Sequence, residues 1–592
     1  MLGSRKRGAN PSLWHRLLDV GVPFFRLEDR AWAMGALALL VAGLLGVNAL
    51  NVINSFVGRD MFSALAERAS GRFYRSVGLL ACVFAGSTIV EVLNRYIEQR
   101  LGLRWRAWLT RRLVNRYLAN HTYQRLIGRD DIDNPDQRIS EDVRTFTSMA
   151  LSFVILLVNG ILTLVAFAGV LWSITPWLLL AAILYAFAGT SGAVLLGRRL
   201  ITLDNFQLRK EADFRFALGR VREHAAAVAQ LGGEEAERMR LRDRLDAVVV
   251  NFREIISVSR NLGFFTTGYG YLTQIVPAAV VAPLYIRSEV EFGSVTQAAM
   301  AFTQVLGAFS LIATQFQQVS QFAAVIGRLG PMWEATEPEP LLAETLAPMA
   351  AQPTAPLPAV ETVPSAHGVT YDHLTLETPK DHRPLVSDLS LELREGRRML
   401  VTGPNGAGKS ALFLATAGLW RGGEGRIVSP GPHRVMFVPH PPYTPSGRLR
   451  DLLLYGLDHE GITDERILDD LRLVGLDRIV EEAGGLDAES EWSSVLSEGE
   501  QQALAFARVL LANPTFAFID NPVGSLDSDR VQRLYSALAR SSITYISVGD
   551  HPLLAGYHDM RLDLHGDGTW KLVPTDATHV GESTLGTGGP EP

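Results

Sequence analysis

The chain has 592 residues, of which 47% are apolar and 20% are charged, and it carries a formal net charge of −6. This length exceeds a single ordinary domain, and the composition excludes an intrinsically disordered chain. The negative charge gives no reason to expect nucleic acid as a partner, and the single cysteine, Cys82, excludes an intrachain disulfide framework. Apolar residues are concentrated in the first 330 positions, which predicts a membrane half followed by a soluble half.

Apolar runs without charge predict six transmembrane helices. Residues 145–197 contain 53 uncharged residues, interrupted near Pro176, which suits a tight turn between two spans. Core helices of soluble proteins seldom exceed about 14 wholly apolar residues, so a soluble helical protein is the weaker alternative. A transmembrane domain is therefore expected at 31–330, with spans near 31–58, 74–95, 147–173, 176–197, 261–286 and 295–320.

The charges of the connecting segments predict the orientation. Residues 91–144 carry 11 arginines, residues 198–260 carry 13 lysines and arginines, and the turn at Pro176 carries none. Both basic segments are expected in the cytoplasm, and their periodic apolar residues suggest that the spanning helices extend past the membrane. Residues 1–30 are expected to form a cytoplasmic N-terminus with an interfacial helix. Only five of the 56 basic residues are lysine, a bias that suggests a bacterial inner membrane.

The soluble half is predicted to be an α/β domain. Residues 331–366 are rich in proline, alanine and glutamate and predict a linker, and residues 576–592 predict a disordered tail. Between them, at 367–575, short β-type runs alternate with helical stretches, which is typical of a largely parallel sheet. The β-type runs lie at 369–376, 398–402, 434–438, 516–519 and 543–548.

A glycine-rich loop between a predicted strand and a predicted helix indicates a nucleotide site. Backbone N–H groups of such a loop can surround a phosphate, and the N-terminus of the following helix attracts negative charge. The lysine of the loop can reach the β- and γ-phosphates of ATP, and its serine hydroxyl can bind Mg²⁺. The candidate ATP-binding residues are Gly403, Asn405, Gly406, Ala407, Gly408, Lys409 and Ser410.

Two further segments fit the same site. The apolar run at 516–519 ends in Asp520, and a buried strand that delivers a carboxylate is a typical second half of a Mg²⁺–nucleotide site. Ser410 and Asp520 are therefore the candidate Mg²⁺ ligands. The run VLSEGEQQ, followed by a helical pattern, places Ser497, Gly499 and Glu500 at a helix start, where an anion can bind.

These motifs, in this order, resemble those of ABC-transporter ATPases. The run at Ser497 resembles their signature motif, with Glu498 where glycine is commonest, and Asp527 resembles the D-loop aspartate. In the membrane half, the segment DNPDQR at 133–138 is similar to a motif of subfamily D half-transporters. It also resembles the SbmA/BacA-like peptide and cobalamin uptake transporters with a fused ATPase domain. Segments at 59–65 and 232–235 fit the same group.

The resemblance implies a fold, partners and ligands. It implies a six-span transmembrane domain of the type IV, exporter-type ABC fold, followed by a P-loop ATPase domain. It further implies a half-transporter that dimerises with itself or with a second half-transporter and binds ATP and Mg²⁺ between the two ATPase domains. Ser497, Gly499 and Glu500 would then face the partner's ATP. The expected partners are membrane lipid and a solute such as a peptide or a cobalamin-like compound, with no nucleic acid.

Four positions depart from the family pattern where the chemistry is expected. Asn521 stands where a glutamate normally acts as general base, and an amide cannot accept a proton. His440 stands at the Q-loop glutamine and Asp550 at the switch histidine, although His551 is adjacent and a one-residue shift would align it. Thr378 replaces the aromatic residue that would stack on adenine. His440, Asn521 and Asp550 are the candidate catalytic positions.

Loss of the general base leaves three hypotheses open. It typically lowers the rate about 10²–10⁴-fold while phosphate and Mg²⁺ binding persist. Slow hydrolysis can continue with Asp550 or His440 as proton acceptor. Alternatively, the ATPase half acts as an ATP-bound clamp of a gated channel, or the chain is the regulatory half of a heterodimeric transporter. Neither substrate identity nor the direction of transport follows from the sequence.

Overall fold

The computed structural model describes two compact units, at Met1–Thr345 and Leu346–Pro592. The predicted tail at 576–592, residues 1–11 and the middle of the predicted linker lie outside the described residues. The described residues are 12–26, 30–127, 132–337, 360–365, 368–379, 381–420, 422–431, 433–457, 461–521 and 526–575.

Within its described residues, the first unit is built from helices. Three of them, α3, α7 and α9, have 49, 48 and 53 residues. At 1.5 Å per residue each is over 70 Å long, about twice the thickness of the hydrocarbon core, so these helices extend past the membrane as predicted. The helices are α1 Leu13–Arg26, α2 Arg30–Ala66, α3 Ser70–Leu118, α4 Thr122–Leu126, α5 Pro135–Gln137, α6 Val143–Ile174, α7 Pro176–Glu223, α8 Ala225–Gln230, α9 Glu234–Ile286, α10 Gly293–Thr314 and α11 Phe316–Ala335.

Among the residues that the structure describes, five helical segments are long and apolar enough to cross a membrane: α2, α3, Pro135–Ile174, α7 and α9. The turn predicted at Pro176 is present, because α6 ends at Ile174, Thr175 is extended, and Pro176 begins α7. The sixth predicted span falls largely on α10, which has 22 residues and is not among the five. The count of six spans therefore stays a prediction.

The predicted linker at 331–366 is too long at both ends. Helix α11 continues through Pro331 to Ala335, because Met332 and Trp333 are buried against the helices around them. At the other end, residues Glu361–Ser365 form a strand of the second unit.

The DNPDQR motif builds a buried ion cluster in the first unit. Asn134 has a left-handed backbone (φ 41°) and precedes the short helix α5. Arg138 is 5% exposed and bonds the carboxylate and carbonyl of Asp133. Asp142, 3% exposed, accepts two hydrogen bonds from Arg328 of α11, at 2.9 and 2.5 Å, and lies 3.6 Å from Arg138. The motif therefore ties the start of α6 to α11.

The second unit contains a four-stranded sheet in the order β1-β5-β2-β3, a six-stranded sheet in the order β12-β11-β4-β10-β9-β6, and the pair β7-β8. The strands are β1 Glu361–Ser365, β2 Val369–Glu377, β3 Pro384–Leu393, β4 Met399–Thr402, β5 Gly423–Pro430, β6 Val435–Val438, β7 Gly447–Arg448, β8 Glu489–Ser490, β9 Phe516–Asp520, β10 Thr544–Val548, β11 Met560–Leu564 and β12 Trp570–Pro574. The helices are α12 Lys409–Thr416, α13 Leu449–Leu453, α14 Asp464–Leu473, α15 Asp477–Ala483, α16 Trp492–Val495, α17 Glu498–Ala512 and α18 Ser528–Arg540.

The six-stranded sheet positions the candidate site. Strands β11, β4, β10, β9 and β6 are parallel neighbours, and only β12 pairs antiparallel. This agrees with the predicted parallel sheet, except that the run at 369–376 belongs to the other sheet, where β2 pairs antiparallel with β3 and β5. In an open parallel sheet the carboxyl ends of the strands share one edge, where ligands typically bind.

Candidate nucleotide site

The glycine-rich loop connects β4 to α12 at the carboxyl edge of the sheet. Gly406 and Gly408 have φ values of 82° and 101°, which favour glycine. A Cβ at Gly408 would also lie 3.0 Å from the side chain of Leu385. The backbone can therefore turn tightly before α12 begins at Lys409. This is the strand–loop–helix arrangement that the sequence predicts.

A carboxylate of the chain itself lies in this loop. The Lys409 ammonium donates to Asp550 Oδ2 at 2.8 Å, and the Gly403 N–H donates to Asp550 Oδ1 at 2.9 Å. Lys409 also donates to the Gly403 carbonyl. Asp550 reaches the loop because it follows β10, which lies beside β4. An anion thus already contacts two groups predicted to hold phosphate, which indicates that the loop fits an anionic ligand.

Asp550 contacts the glycine-rich loop, whereas its neighbour His551 caps a short helix. His551 is the N-cap of the short 3-10 helix Pro552–Tyr557, and its Nδ1 accepts the Leu553 N–H at 3.3 Å. The assignment of Asp550 to the switch position stays a prediction. Because the residue that contacts Lys409 is an acid, it is expected to compete with phosphate.

Asp520 ends β9, the next strand along the sheet, and its surroundings alter its acidity. Burial raises the pKa of the Asp520 carboxyl, while electrostatic interactions with His440 and Lys409 act to lower it. His440 follows β6 on the other side of β9. The structure thus brings Lys409, Asp550, Asp520 and His440 to one edge of the sheet, as the sequence predicts.

Asn521 follows Asp520 in a constrained backbone conformation. Its φ is 39°, a left-handed value that asparagine tolerates better than most other non-glycine residues. Its N–H donates to the Val548 carbonyl at 2.8 Å, and its carbonyl accepts from Gln502 at 3.0 Å. The side chain is exposed, and its amide supplies no base.

The signature run begins α17 with a capping box. Ser497 is the N-cap, its hydroxyl donates to Glu500 Oε2 at 2.6 Å, and its N–H donates to the same oxygen at 2.9 Å. These bonds lower the pKa of the Glu500 carboxyl. Gly499 is buried in the first turn. Glu500 therefore already supplies negative charge at this helix start, and contact of Ser497, Gly499 and Glu500 with a partner's ATP stays a prediction.

Sequence reasoning assigned no role to Gln502 or Arg383. Gln502 is 1% exposed and joins α17 to the backbone of Asn521. Its position in the signature run is the sequence feature that could have pointed to a role for Gln502. Arg383 donates to the Gly406 carbonyl at 3.3 Å, and its own N–H donates to the Thr378 hydroxyl at 2.9 Å. Thr378 thus closes the loop between β2 and β3, next to the glycine-rich loop.

The described residues fit a Mg²⁺–nucleotide ligand, because the Asp550 carboxylate already accepts hydrogen bonds from Lys409 and from the Gly403 N–H. Lys409 and the backbone N–H groups of the loop would hold the phosphates, and Ser410 with Asp520 would hold the metal ion. The Ser410 hydroxyl is exposed and can reach a ligand. When bound, Mg²⁺ would neutralise phosphate charge.

Replacing Asp550 by asparagine is expected to tighten ATP binding. The change removes a half-exposed ion pair to Lys409, worth about 1 kcal/mol, or about fivefold in Kd, and also removes repulsion of the phosphates. ATP affinity would be measured on the purified full-length protein, with Glu465→Gln, an exposed change of the same charge on α14, as the control. Unchanged or weaker ATP binding in Asp550→Asn would contradict competition between Asp550 and phosphate.

A buried histidine in the second unit is expected to make this unit sensitive to acid. His558 is 0% exposed, its Nδ1–H donates to the Leu554 carbonyl at 2.6 Å, and its Nε2 accepts from Ser547 at 2.9 Å. Ser547 in turn accepts from the Tyr535 hydroxyl at 2.7 Å. Burial lowers the pKa of His558 to about 4.

Stability supplied by neutral His558 is complete above the unfolded pKa of about 6.5 and decreases as the pH falls toward 4, because the unfolded chain binds the proton first. The expected loss is about 2 kcal/mol at pH 5. It would be measured as the unfolding midpoint of the full-length protein between pH 7.5 and 5. The slope should be shallower in His558→Asn, and equal slopes would refute the assignment.

Comparison with known proteins agrees with this architecture. Residues 26–286 match the family described as ABC transporter transmembrane region 2, and residues 386–524 match the family described as ABC transporter. A chloroplastic ABC transporter, D family member 2, of Arabidopsis thaliana is 36% identical, over 96% of this chain and 89% of its own. A lysosomal cobalamin transporter of Homo sapiens is 32% identical, over 96% and 98%. An inner membrane ABC transporter ATP-binding protein of Escherichia coli K12 is 24% identical, over 86% and 90%.

A multi-span helical region followed by a P-loop ATPase domain defines an integral membrane transporter that binds ATP. The chain belongs to the ABC transporter family, as a half-transporter whose relatives include members of subfamily D. The resemblance read from the motifs and the predicted fold class are thereby confirmed. ABC half-transporters work as dimers.

Proposed function

We propose that the chain forms a homodimer that couples slow ATP hydrolysis to the movement of a hydrophilic or amphipathic solute across a bacterial inner membrane. The observation that carries the proposal is the carboxyl edge of the six-stranded sheet. There Lys409, Asp520 and His440 lie together, while Asn521 stands at the position of the usual general base. Such a site retains the groups that bind phosphate and metal, but it lacks the glutamate that usually accepts a proton from the attacking water.

Slow hydrolysis requires another proton acceptor near the attacking water. At this edge, His440 and Asp550 are the proposed substitute proton acceptors, because Asp520 is expected to bind the metal ion. Asp550 would have to leave Lys409 when ATP binds, which would free its carboxylate for this role. In a homodimer both sites carry Asn521, so no intact second site compensates. The ATP-bound clamp of a gated channel is the second candidate, and Asn521 favours it.

Polar groups between the membrane helices support a hydrophilic or amphipathic solute. A cavity of about 290 Å³ is lined by charged and amide side chains of α3, by apolar side chains of α2, and by both polar and apolar side chains of α6. Glu91, Arg95 and Glu98 lie one turn apart on α3 at this cavity. Charges at such a position are costly unless they face water or a solute. Asn48, in contrast, is 5% exposed and bonds Asn159 and Thr163, so it joins helices.

The relatives support the choice of solute and membrane. One is named a lysosomal cobalamin transporter and another an inner membrane ABC transporter. A peptide or a cobalamin-like compound is therefore the first solute class to test.

The test is transport by the full-length protein in liposomes, with and without ATP. Labelled cobalamin and a labelled peptide would be followed, with Lys409→Ala as the variant that cannot use ATP and Glu91→Gln/Arg95→Gln as the cavity variant. ATP-dependent movement that both variants lose supports the proposal. Movement that only needs ATP to bind, and that a non-hydrolysable analogue also supports, would favour the gated channel.

A further inference from the structure

The loop between β2 and β3 places an arginine beside the glycine-rich loop. Arg383 is exposed, and its Nη2 donates to the Gly406 carbonyl at 3.3 Å. It forms no ion pair with a carboxylate among the residues that the structure describes. The proposed function assigns no role to this guanidinium, although it lies at the edge of the ATP site.

Hydrogen bonds within the loop between β2 and β3 fix the position of Arg383. The Thr378 hydroxyl accepts the Arg383 N–H at 2.9 Å, and the Thr378 N–H donates to the Arg383 carbonyl at 3.0 Å. The adjacent planar side chain, His382, is engaged elsewhere, because its Nδ1 lies 3.2 Å from a carboxylate oxygen of Glu377. Of these two planar groups, the arginine is the one without an acidic partner in the described chain.

The surroundings of the glycine-rich loop limit where a nucleotide can extend from it. One side is closed by backbone, because a Cβ at Gly403 would overlap the Leu564 carbonyl oxygen. On a second side Asp520 and Asp550 follow β9 and β10, and acids there favour the metal ion rather than the base. The remaining side belongs to the loop that carries Arg383. A nucleotide with its phosphates in the glycine-rich loop can extend its sugar and base along this side.

The contacts of Arg383 separate it from the groups that hold phosphate. Backbone N–H groups of a phosphate-binding loop point at the anion, whereas Arg383 bonds a carbonyl of the loop, that of Gly406. The Asp550 carboxylate, the anion already at the loop, accepts from Lys409 and from the Gly403 N–H. The hydrogen bond of the Arg383 guanidinium goes to Gly406 instead. Arg383 therefore lies beside the phosphate groups and not among them.

We propose that the Arg383 guanidinium stacks on the base of the bound nucleotide. This role rests on the proposed function, because it requires ATP in the glycine-rich loop. A guanidinium is planar and delocalised, and it is attracted to the face of an aromatic ring. The bond to Gly406 holds one nitrogen of the group and leaves its flat faces open to a ring. Stacking does not read the edge of a base, so adenine and guanine should gain equally.

The test measures dissociation constants of ATP, GTP and inorganic tripolyphosphate for the purified full-length protein by calorimetry. Arg383→Ala should weaken binding of ATP and of GTP about fivefold each. Tripolyphosphate has no base, so its binding to Arg383→Ala should stay close to the wild-type value. Arg397→Ala is the matched control, because Arg397 is exposed and precedes β4, at the opposite end of this strand from the glycine-rich loop. It should bind all three compounds like the wild type.

Arg383→Lys separates stacking from charge. Lysine keeps the positive charge but has no planar group, so this variant should also lose at least half of the gain for both nucleotides. Wild-type affinity in Arg383→Lys, or an equal loss for tripolyphosphate in Arg383→Ala, would mean that the charge acts on the phosphates, and stacking would be wrong. Unchanged ATP binding in Arg383→Ala would refute this role alone. A wild-type protein that binds tripolyphosphate but no ATP would refute the proposed function as well.

Discussion

Replacing Asn521 by glutamate is expected to raise the rate of ATP hydrolysis about 10²–10⁴-fold, because it restores a general base beside Asp520. The substitution is expected to lower folding stability, because Asn521 has a left-handed φ of 39°. Glutamate tolerates this conformation less well, and about 1 kcal/mol of folding stability should be lost. The rate would be measured as phosphate release by the purified protein in lipid.

Asn521→Gln is the matched control for this change. Glutamine has the size of glutamate and experiences the same backbone strain, but its amide cannot accept a proton. Hydrolysis should stay at the wild-type rate in Asn521→Gln. An equal increase of the hydrolysis rate in both variants would mean that the gain comes from a change in the backbone and not from a restored base.

Replacing Asp142 by alanine is expected to destabilise the membrane domain by about 3–5 kcal/mol. Asp142 is 3% exposed, and its removal leaves Arg138 and Arg328 facing each other without their shared carboxylate. The unfolding midpoint of the full-length protein in detergent, followed by tryptophan fluorescence, would report the loss.

Asp136→Ala tests whether this effect is specific. Asp136 lies in the DNPDQR motif, six residues before Asp142, but it is exposed, so its loss should change the midpoint little. Similar shifts in both variants would mean that the motif matters through its loop conformation rather than through the Asp142 cluster.

Much of the architecture follows from local sequence patterns. The turn at Pro176 and the long helices α7 and α9 could be predicted, because long charge-free runs are typical of membrane-spanning helices and proline suits a helix start. The positions of the motifs after predicted strands also indicate that their residues lie close together. The glycine-rich loop, His440, Asp520 and Asp550 each follow a strand, and parallel strands bring their carboxyl ends to one edge.

The contacts that depend on packing could not be predicted. The sequence aligns Asp550 with a switch histidine, but its bonds to Lys409 and Gly403 depend on the adjacency of β10 and β4. The helix past Pro331 is stable because Trp333 is buried by residues distant in sequence. No local pattern distinguishes such a helix end from the linker that follows it.

These contacts give a physical account of the departures from the family pattern. Asn521 has a left-handed backbone that Gln502 and Val548 hold by hydrogen bonds, and Asp550 forms an ion pair with Lys409. Both features are expected to lower activity while the phosphate-binding loop keeps its form. A transporter with slow turnover is the expected result.

The most direct test of this account is steady-state ATP hydrolysis by the wild-type protein in lipid, with Lys409→Ala as the background. The expected result is slow turnover that clearly exceeds the Lys409→Ala rate. Turnover no higher than that background, with ATP still bound by the wild type, would contradict slow hydrolysis and would assign the chain to the ATP-bound clamp instead.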